Sequence, residues 1–421
     1  METANRLYEA LSGAQASEVD AEEPGNWLRH AASLSLTKSA DGLFDPKLVL
    51  SWLLTALAVP SVYVGLLVPI REAGALLPQL FTAPHIHAMA RRKWAWAGAA
   101  AVQGAMLVVI LLVALTMEGA APGLAICAAL AVLALARSVA SVSYKDVLGK
   151  TVGQARRGAA TGFAASAGAA VVIIFALILM VAPVERMTIV LGALTLAALA
   201  FLGAAVIFAG LREAATPEEA DTAWRAALGQ MRLLWREPGL GRFVIARGLL
   251  VATALAPPYL VLLAAEAGNR AFERLGALVL ASAVASLMSS YVWGRLADRS
   301  SRRVLIYAGL AGAAALILAL ALRAAGLAGT VWALPLALFA LMIAYHGVRQ
   351  GRSTYLVDMA PEDKRLPYTA VANTAIGLLL LGAGVFGALA SLAGAAVTIA
   401  LFAAMAAAGA AVAAALPEAE G

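Results

Sequence analysis

Runs of about 18–25 mostly apolar residues recur along this chain, and the charged residues collect in short clusters between them. That alternation constrains the fold more than any other feature. An α-helix of that length covers the hydrocarbon core of a bilayer, about 30 Å thick, and it satisfies its own backbone hydrogen bonds where lipid offers none. With 62% hydrophobic residues, 13% charged residues and a mean hydropathy of +0.85, the 421-residue chain is not a soluble globular domain. The expected fold class is an all-α membrane protein.

Twelve runs read as spanning helices. The first six cover about 47–70, 73–90, 94–117, 122–143, 158–182 and 187–211. The second six cover about 243–265, 275–293, 304–322, 327–348, 369–389 and 394–416. These divide the chain into an N-terminal extension (1–46), a first six-helix bundle (47–211), a linker (212–242), a second bundle (243–416) and a short tail (417–421). The extension is polar and lacks the apolar core of a signal peptide. Arg6-Leu7-Tyr8-Glu9-Ala10-Leu11 reads as a short amphipathic piece, 18–25 as an acidic linker and 27–36 as an interfacial piece. Asp45-Pro46 reads as an N-cap followed by a first-position proline.

Positive charge sets the expected topology. With both termini cytoplasmic, the inner loops hold Arg91, Arg92 and Lys93, then Lys145, Lys150, Arg156 and Arg157, and later Arg349, Arg352, Lys364 and Arg365. The outer loops keep only Arg71, Arg186, Arg270, Arg274 and Arg323, the asymmetry that sets orientation in a cytoplasmic (inner) membrane. The net charge of +6 is therefore placed at the membrane surface, and no basic, aromatic-interleaved soluble segment calls for nucleic acid. Cys127 lies alone in an apolar run, which excludes disulfides and cysteine metal sites. Gly382-Ala383-Gly384-Val385-Phe386-Gly387 has dinucleotide-loop spacing but follows no strand, so it reads as helix packing. His85 and His87 do not share a helix face and make a poor metal pair. No nucleophile, base and orienting group are arranged for catalysis, so neither enzyme activity nor a cofactor is expected.

The sharpest motif is Gly294-Arg295-Leu296-Ala297-Asp298-Arg299-Ser300-Ser301-Arg302-Arg303, a basic turn between two apolar runs. It resembles the Gly-x-Leu-x-Asp-Arg-x-x-Arg-Arg loop of the major facilitator superfamily of secondary transporters, which joins the second and third helices of a six-helix half. The resemblance implies two six-helix bundles related by a pseudo-two-fold axis, a small-molecule substrate bound between them, alternating access and a monomer in contact with membrane lipids. It also gives Gly294, Asp298, Arg299, Arg302 and Arg303 the role of a gating loop. Thr55–Pro60 and Thr253–Pro258 share Thr-Ala-Leu-Ala-x-Pro, as two copies would. In the first half the loop is degraded: Ala83 stands at the position of Gly294 and His87 at that of Asp298.

Candidate cavity and coupling residues follow from charge at depth. Arg137 falls in the middle of a span, where an arginine needs a cavity or a partner; it resembles the arginine of the family's fourth-helix motif. Arg71 and Glu72 read as an ionisable pair at the outer end of the first hairpin, with Gln79 deeper and Glu266 as the second-half counterpart. Asn373 is polar enough to bond substrate or a neighbouring helix. Lys145, Asp146, Arg349, Arg352 and Asp358 read as an inner gate. The expected function is secondary transport of a small solute, with proton coupling through Glu72 and uniport both open. A lipid carrier on the same scaffold and a non-transporting sensor or assembly partner are the alternatives.

Overall fold

The computed structural model describes residues 2–13, 15, 19–79, 82, 85–86, 88–215, 230–268, 274–297, 299–361 and 364–418. Within them every regular element is helical. A short helix, α1 (Glu2–Ser12), leans on α2 (Glu23–Leu43). After these come α3 (Val49–Ala56), α4 (Ser61–Leu76), α5 (Lys93–Thr116), α6 (Ala121–Thr151), α7 (Gln154–Val181) and α8 (Arg186–Ala209). The second set is α9 (Pro238–Leu250), α10 (Ala252–Leu255), α11 (Pro257–Glu266), α12 (Leu275–Ala297), α13 (Ser301–Ala324), α14 (Ala333–Met359), α15 (Arg365–Gly382), α16 (Val385–Ala393) and α17 (Ala395–Ala414). Among the described residues nine helical segments are long and apolar enough to cross a membrane, the α9–α11 and α15–α16 runs counting once each.

The helices form two bundles. In the first, α5 packs on α6 and α8, α2 on α7 and α8, and α4 on α6. In the second, α13 packs on α14 and α17, α12 on α14, and α9 on α17. The bundles meet where α7 touches α12 and where α4 touches α15 and α16. Small residues make the second contact possible. A Cβ on Gly387 would stand 2.7 Å from the Val62 carbonyl oxygen, and one on Gly65 would stand 2.8 Å from the Gly387 amide nitrogen, so only glycine lets α4 and α16 approach this closely.

At one end of the molecule, described basic residues are tied into the helix ends. There the backbone amides of Arg92 and Lys93 donate to Glu213, at 3.0 and 2.8 Å, and Lys93 Nζ donates to the Ala209 and Leu211 carbonyls. Arg156 is paired with Glu23 at 2.6 Å, and Asn26 exchanges hydrogen bonds with the backbone of Arg212. We call this the basic end. At the opposite end Ser61 and Ser391, one from each bundle, share a hydrogen bond of 2.7 Å.

The N-terminal part of the first bundle differs from the sequence expectation. Residues 1–46 do not form an extension outside the bundle: α2 lies inside it, with Trp27, His30, Ala31, Ser33 and Ala40 buried. Hydropathy misses α2 because its polar groups are satisfied internally. Ser33, Ser35 and Ser39 each donate to a carbonyl four residues back, at 2.6–2.7 Å. His30 Nε2 bonds Thr151 Oγ1 at 2.8 Å, its ring edge-on to Tyr144 and Phe208. Asp45-Pro46 is accordingly not the start of the first helix but a break between α2 and α3. Proline removes an amide there, and Asp45 Oδ1 accepts from the Lys47 and Leu48 amides, at 2.6 and 3.3 Å. The run read as 47–70 is split by the turn at 57–60, and α4 takes up what was divided between two spans. Thr55–Pro60 therefore sits at a helix end, whereas Thr253–Pro258 lies within the α10–α11 run, and the shared hexapeptide does not mark equivalent positions. Likewise α9 begins at Pro238, inside the stretch read as linker.

Candidate functional site: a charged cavity between the bundles

With α2 inside the first bundle, the charges fall in other places than the sequence reading gave them. Arg71 and Glu72 are not at a loop; they lie eleven residues or so into α4, about 16 Å along a helix of 1.5 Å rise. Lys38 and Asp41 project from α2, and Asp45 and Lys47 from the break that follows it. Asp41 holds two guanidinium groups at once: its Oδ1 accepts from Arg71 at 3.1 Å and its Oδ2 pairs with Arg137 at 2.7 Å. Arg137, from the middle of α6, thus has the interior partner its depth demands. Lys47 Nζ lies 3.9 Å from Glu72 and 3.7 Å over the ring of Tyr345, which belongs to α14 of the other bundle.

These groups line two adjoining hollows. One, of about 390 Å³, is bounded by Lys38, Asp41, Asp45, Lys47 and Arg137 from the first bundle and by Ser282, Ser286, Tyr345, His346 and Arg349 from the second. The other, of about 330 Å³, adds Arg71, Glu72, Gln79, Ser141 and Arg352. A third, of about 660 Å³, shares Ser286, His346, Arg349 and Arg352 and runs along α12 and α14 to Gly294 and Ser353, toward the basic end. At the opposite end the glycine contact and the Ser61–Ser391 bond hold the bundles together. The cavity therefore lies between the two bundles and leads to the basic end.

Of the cavity candidates, Arg71, Glu72, Gln79 and Arg137 line it, although the Gln79 side chain also donates to the Ala75 carbonyl at 2.8 Å. Glu266 is elsewhere: it pairs with Arg323 at 3.6 Å and accepts from the Ala395 amide at 3.1 Å, at the opposite end. Asn373 Oδ1 accepts from Arg247 at 3.0 Å, so it serves a neighbouring helix. Arg247, only 5% exposed, was not singled out from the sequence; reading the span from 243 put it near an end, whereas α9 begins nine residues before it.

The inner-gate set divides. Arg349 and Arg352 line the cavity. Asp146 is held by Arg92 and by Lys150 at 3.2 Å, within the first bundle, while Lys145 is exposed. Asp358 accepts from Ser301 at 2.8 Å, within the second. In the gating loop, Asp298 lies outside the described residues. Arg299 and Arg303 are exposed, and Gly294 lines the basic-end hollow. Arg302 pairs with Glu418 at 2.6 Å and donates to the Leu416 carbonyl at 2.9 Å, while Ser300 caps α13 and donates to Glu418 at 2.5 Å. The C-terminal tail thus clasps the loop. The Glu418 carboxyl is held below its usual range by that Ser300 hydrogen bond first and by the Arg302 charge second. A signal for the missed cavity residues was present in the sequence: Lys38, Asp41 and Asp45 are spaced for one helix face.

No family model and no curated protein matches this sequence. Solved structures do match in shape. The nucleoside transporter NupG, in a mutant form, superposes with a TM-score of 0.72 at 14% identity, over 93% of this chain and 99% of that one. A mutant of the peptide transporter POT gives 0.66 at 12% identity, over 92% and 93%, and a D-xylose-proton symporter gives 0.65 at 13%, over 94% and 98%. The chain has the major facilitator fold. At these identities the likeness carries over architecture, and the chemistry of the cavity has to come from this chain's own residues.

Proposed function

We propose that this protein is a secondary transporter that moves a small solute across the cytoplasmic membrane by alternating access. One observation carries the proposal: a cavity lined from both bundles, closed at one end by inter-bundle contacts and leading to the other. A site of that kind is reached from one side at a time when the bundles rock about it. The nucleoside, peptide and xylose transporters of the same fold favour this reading over a catalytic one.

In this proposal the chain crosses the membrane twelve times. The α2–α3, α9–α11 and α15–α16 runs each count as one interrupted crossing, and the halves span 23–209 and 238–414. The basic end is cytoplasmic, because arginine and lysine are retained on that side. Both termini then lie there, and the described state is open to the cytoplasm.

The test locks the closed end. In a Cys127→Ser background, Ser61→Cys with Ser391→Cys places two thiols where hydroxyl oxygens are 2.7 Å apart, close enough to oxidise without moving the backbone far. Oxidation is expected to abolish counterflow in proteoliposomes and reductant to restore it, while ligand binding from the basic side persists. Full counterflow by the cross-linked protein would sink the alternating-access reading.

A further inference from the structure

The six basic residues that line the two central hollows, Lys38, Lys47, Arg71, Arg137, Arg349 and Arg352, face only three acidic ones, Asp41, Asp45 and Glu72. All three acids are already engaged. Asp41 is shared by Arg71 and Arg137, Glu72 faces Lys47, and Asp45 accepts two backbone amides. Among the described residues, Lys38, Arg349 and Arg352 have no carboxylate within ion-pair distance. Lys38 and Arg349 are exposed to the open hollow and Arg352 is half-buried, and like charges gathered there repel one another.

Apart from the three engaged carboxylates and the Gln79 amide, the polar side chains beside these cations can each present a donor. Guanidinium and ammonium groups have no acceptor capacity, and the serine hydroxyls of Ser282 and Ser286 can each turn a proton into the hollow. His346, on the same wall, has its Nε2 buried without a hydrogen-bond partner among the described residues. A neutral sugar or nucleoside brings many donors of its own and needs acceptors opposite them. A phosphate or carboxylate brings acceptors only, and bidentate binding by arginine suits its geometry.

We infer that the cavity takes a small solute bearing a doubly negative group, a phosphate ester or a dicarboxylate, held between Lys38 of the first bundle and Arg349 of the second. The inference rests on the transport reading for what happens next. Lys38 and Arg349 stand on opposite walls, so their repulsion favours the open cavity when it is empty. A dianion between them neutralises both and draws the walls together, so that closing the basic end depends on having cargo.

The test uses the full-length detergent-purified protein and its melting midpoint at fixed ionic strength. Glycerol 3-phosphate is compared with glycerol, and succinate with succinamide. A dianion is expected to raise the wild-type midpoint in a concentration-dependent way, up to about 10 mM, and its neutral counterpart is expected to leave it unchanged. Lys38→Gln and Arg349→Gln should each weaken the effective affinity about 10- to 100-fold. The inference is overturned if neutral members shift the midpoint as well as the anions, if no dianion shifts it, or if the shift survives in the folded double variant. It is also overturned if only detergent-solubilised phosphatidic acid, a lipid source of the same phosphate-monoester chemistry, produces a shift. Because the anion and its neutral partner are compared on the wild type, a variant that fails to fold does not spoil the result. Counterflow separates the two readings. A dianion that binds but is not exchanged keeps the charge assignment and removes transport, whereas exchange of a neutral solute does the reverse.

Discussion

Asp41 is paired with two arginines at once, and its replacement by asparagine is a measurable test of the cavity's electrostatics. The side chains of Asp41, Arg71 and Arg137 are 22%, 16% and 33% exposed, so the triad is shielded but touches water in the cavity. A hydrogen bond to a charged group is worth about 1.5–3 kcal/mol, and two are at stake. Asparagine keeps the size of aspartate and one acceptor oxygen, and cavity water screens Arg137, so the expected loss is about 2–3 kcal/mol rather than the full sum. Thermal melting followed by tryptophan fluorescence reads it, against exposed-surface substitutions that change stability by about 0.5 kcal/mol or less. The decisive comparison is the Asp41→Asn, Arg137→Gln double variant. With one unpaired guanidinium removed, its loss should fall short of the two single losses added together by about 1–2 kcal/mol. Strict additivity, or an Asp41→Asn protein as stable as the parent, would refute the claim that this triad is coupled.

Two further outcomes follow from the geometry. Gly387→Val puts side-chain atoms against the Val62 carbonyl, where even a Cβ would stand 2.7 Å away, and overpacking of this kind costs about 1–3 kcal/mol. The variant should leave the opposite end ajar, so that a cysteine at position 61 reacts faster with an impermeant thiol reagent; an unchanged rate argues against a tight glycine contact. Asn373→Ala deprives the buried Arg247 of the acceptor it uses at 3.0 Å and should destabilise by about 1–3 kcal/mol, while Asn373→Asp keeps an acceptor and should not. Equal loss in both variants would assign Asn373 to packing alone.

The sequence is most legible where helices face lipid. Helices such as α5, α7, α8, α13 and α17 each carry an apolar stretch of about eighteen residues or more, and their reading needed nothing beyond hydropathy and length. Arg137 was conspicuous for the same reason: one charge in an otherwise apolar run. Its partner Asp41 was invisible, because it lies in a helix whose outward signal is polar. A cavity-lining helix surrounded by protein has no need of lipid solubility, and the serines, histidine and lysine of α2 erase the pattern a bilayer-facing helix would show. The misplacement of Arg71 and Glu72 followed directly, since displacing the first crossing moved its neighbours to a loop. Charge clusters within one bundle and across the two bundles also look alike in a linear sequence. Asp146 and Arg349 both sit toward the C-terminal ends of their helices, yet one is tied to Arg92 and the other opens into the cavity.

The polarity of α2 also bears on how the molecule is made. A segment carrying Arg29, His30, Lys38 and Asp41 is a poor candidate for insertion into lipid on its own, because each charge near the centre of a bilayer costs a few kcal/mol. The groups that shelter it belong to α7 and α8, which are synthesised only after residues 154–209 have been translated. Arg71 and Arg137, which neutralise Asp41, are also later in the chain. The α2 segment therefore leaves the ribosome before the elements that shelter it, and its seating is a property of the assembled bundle rather than of its own twenty-one residues.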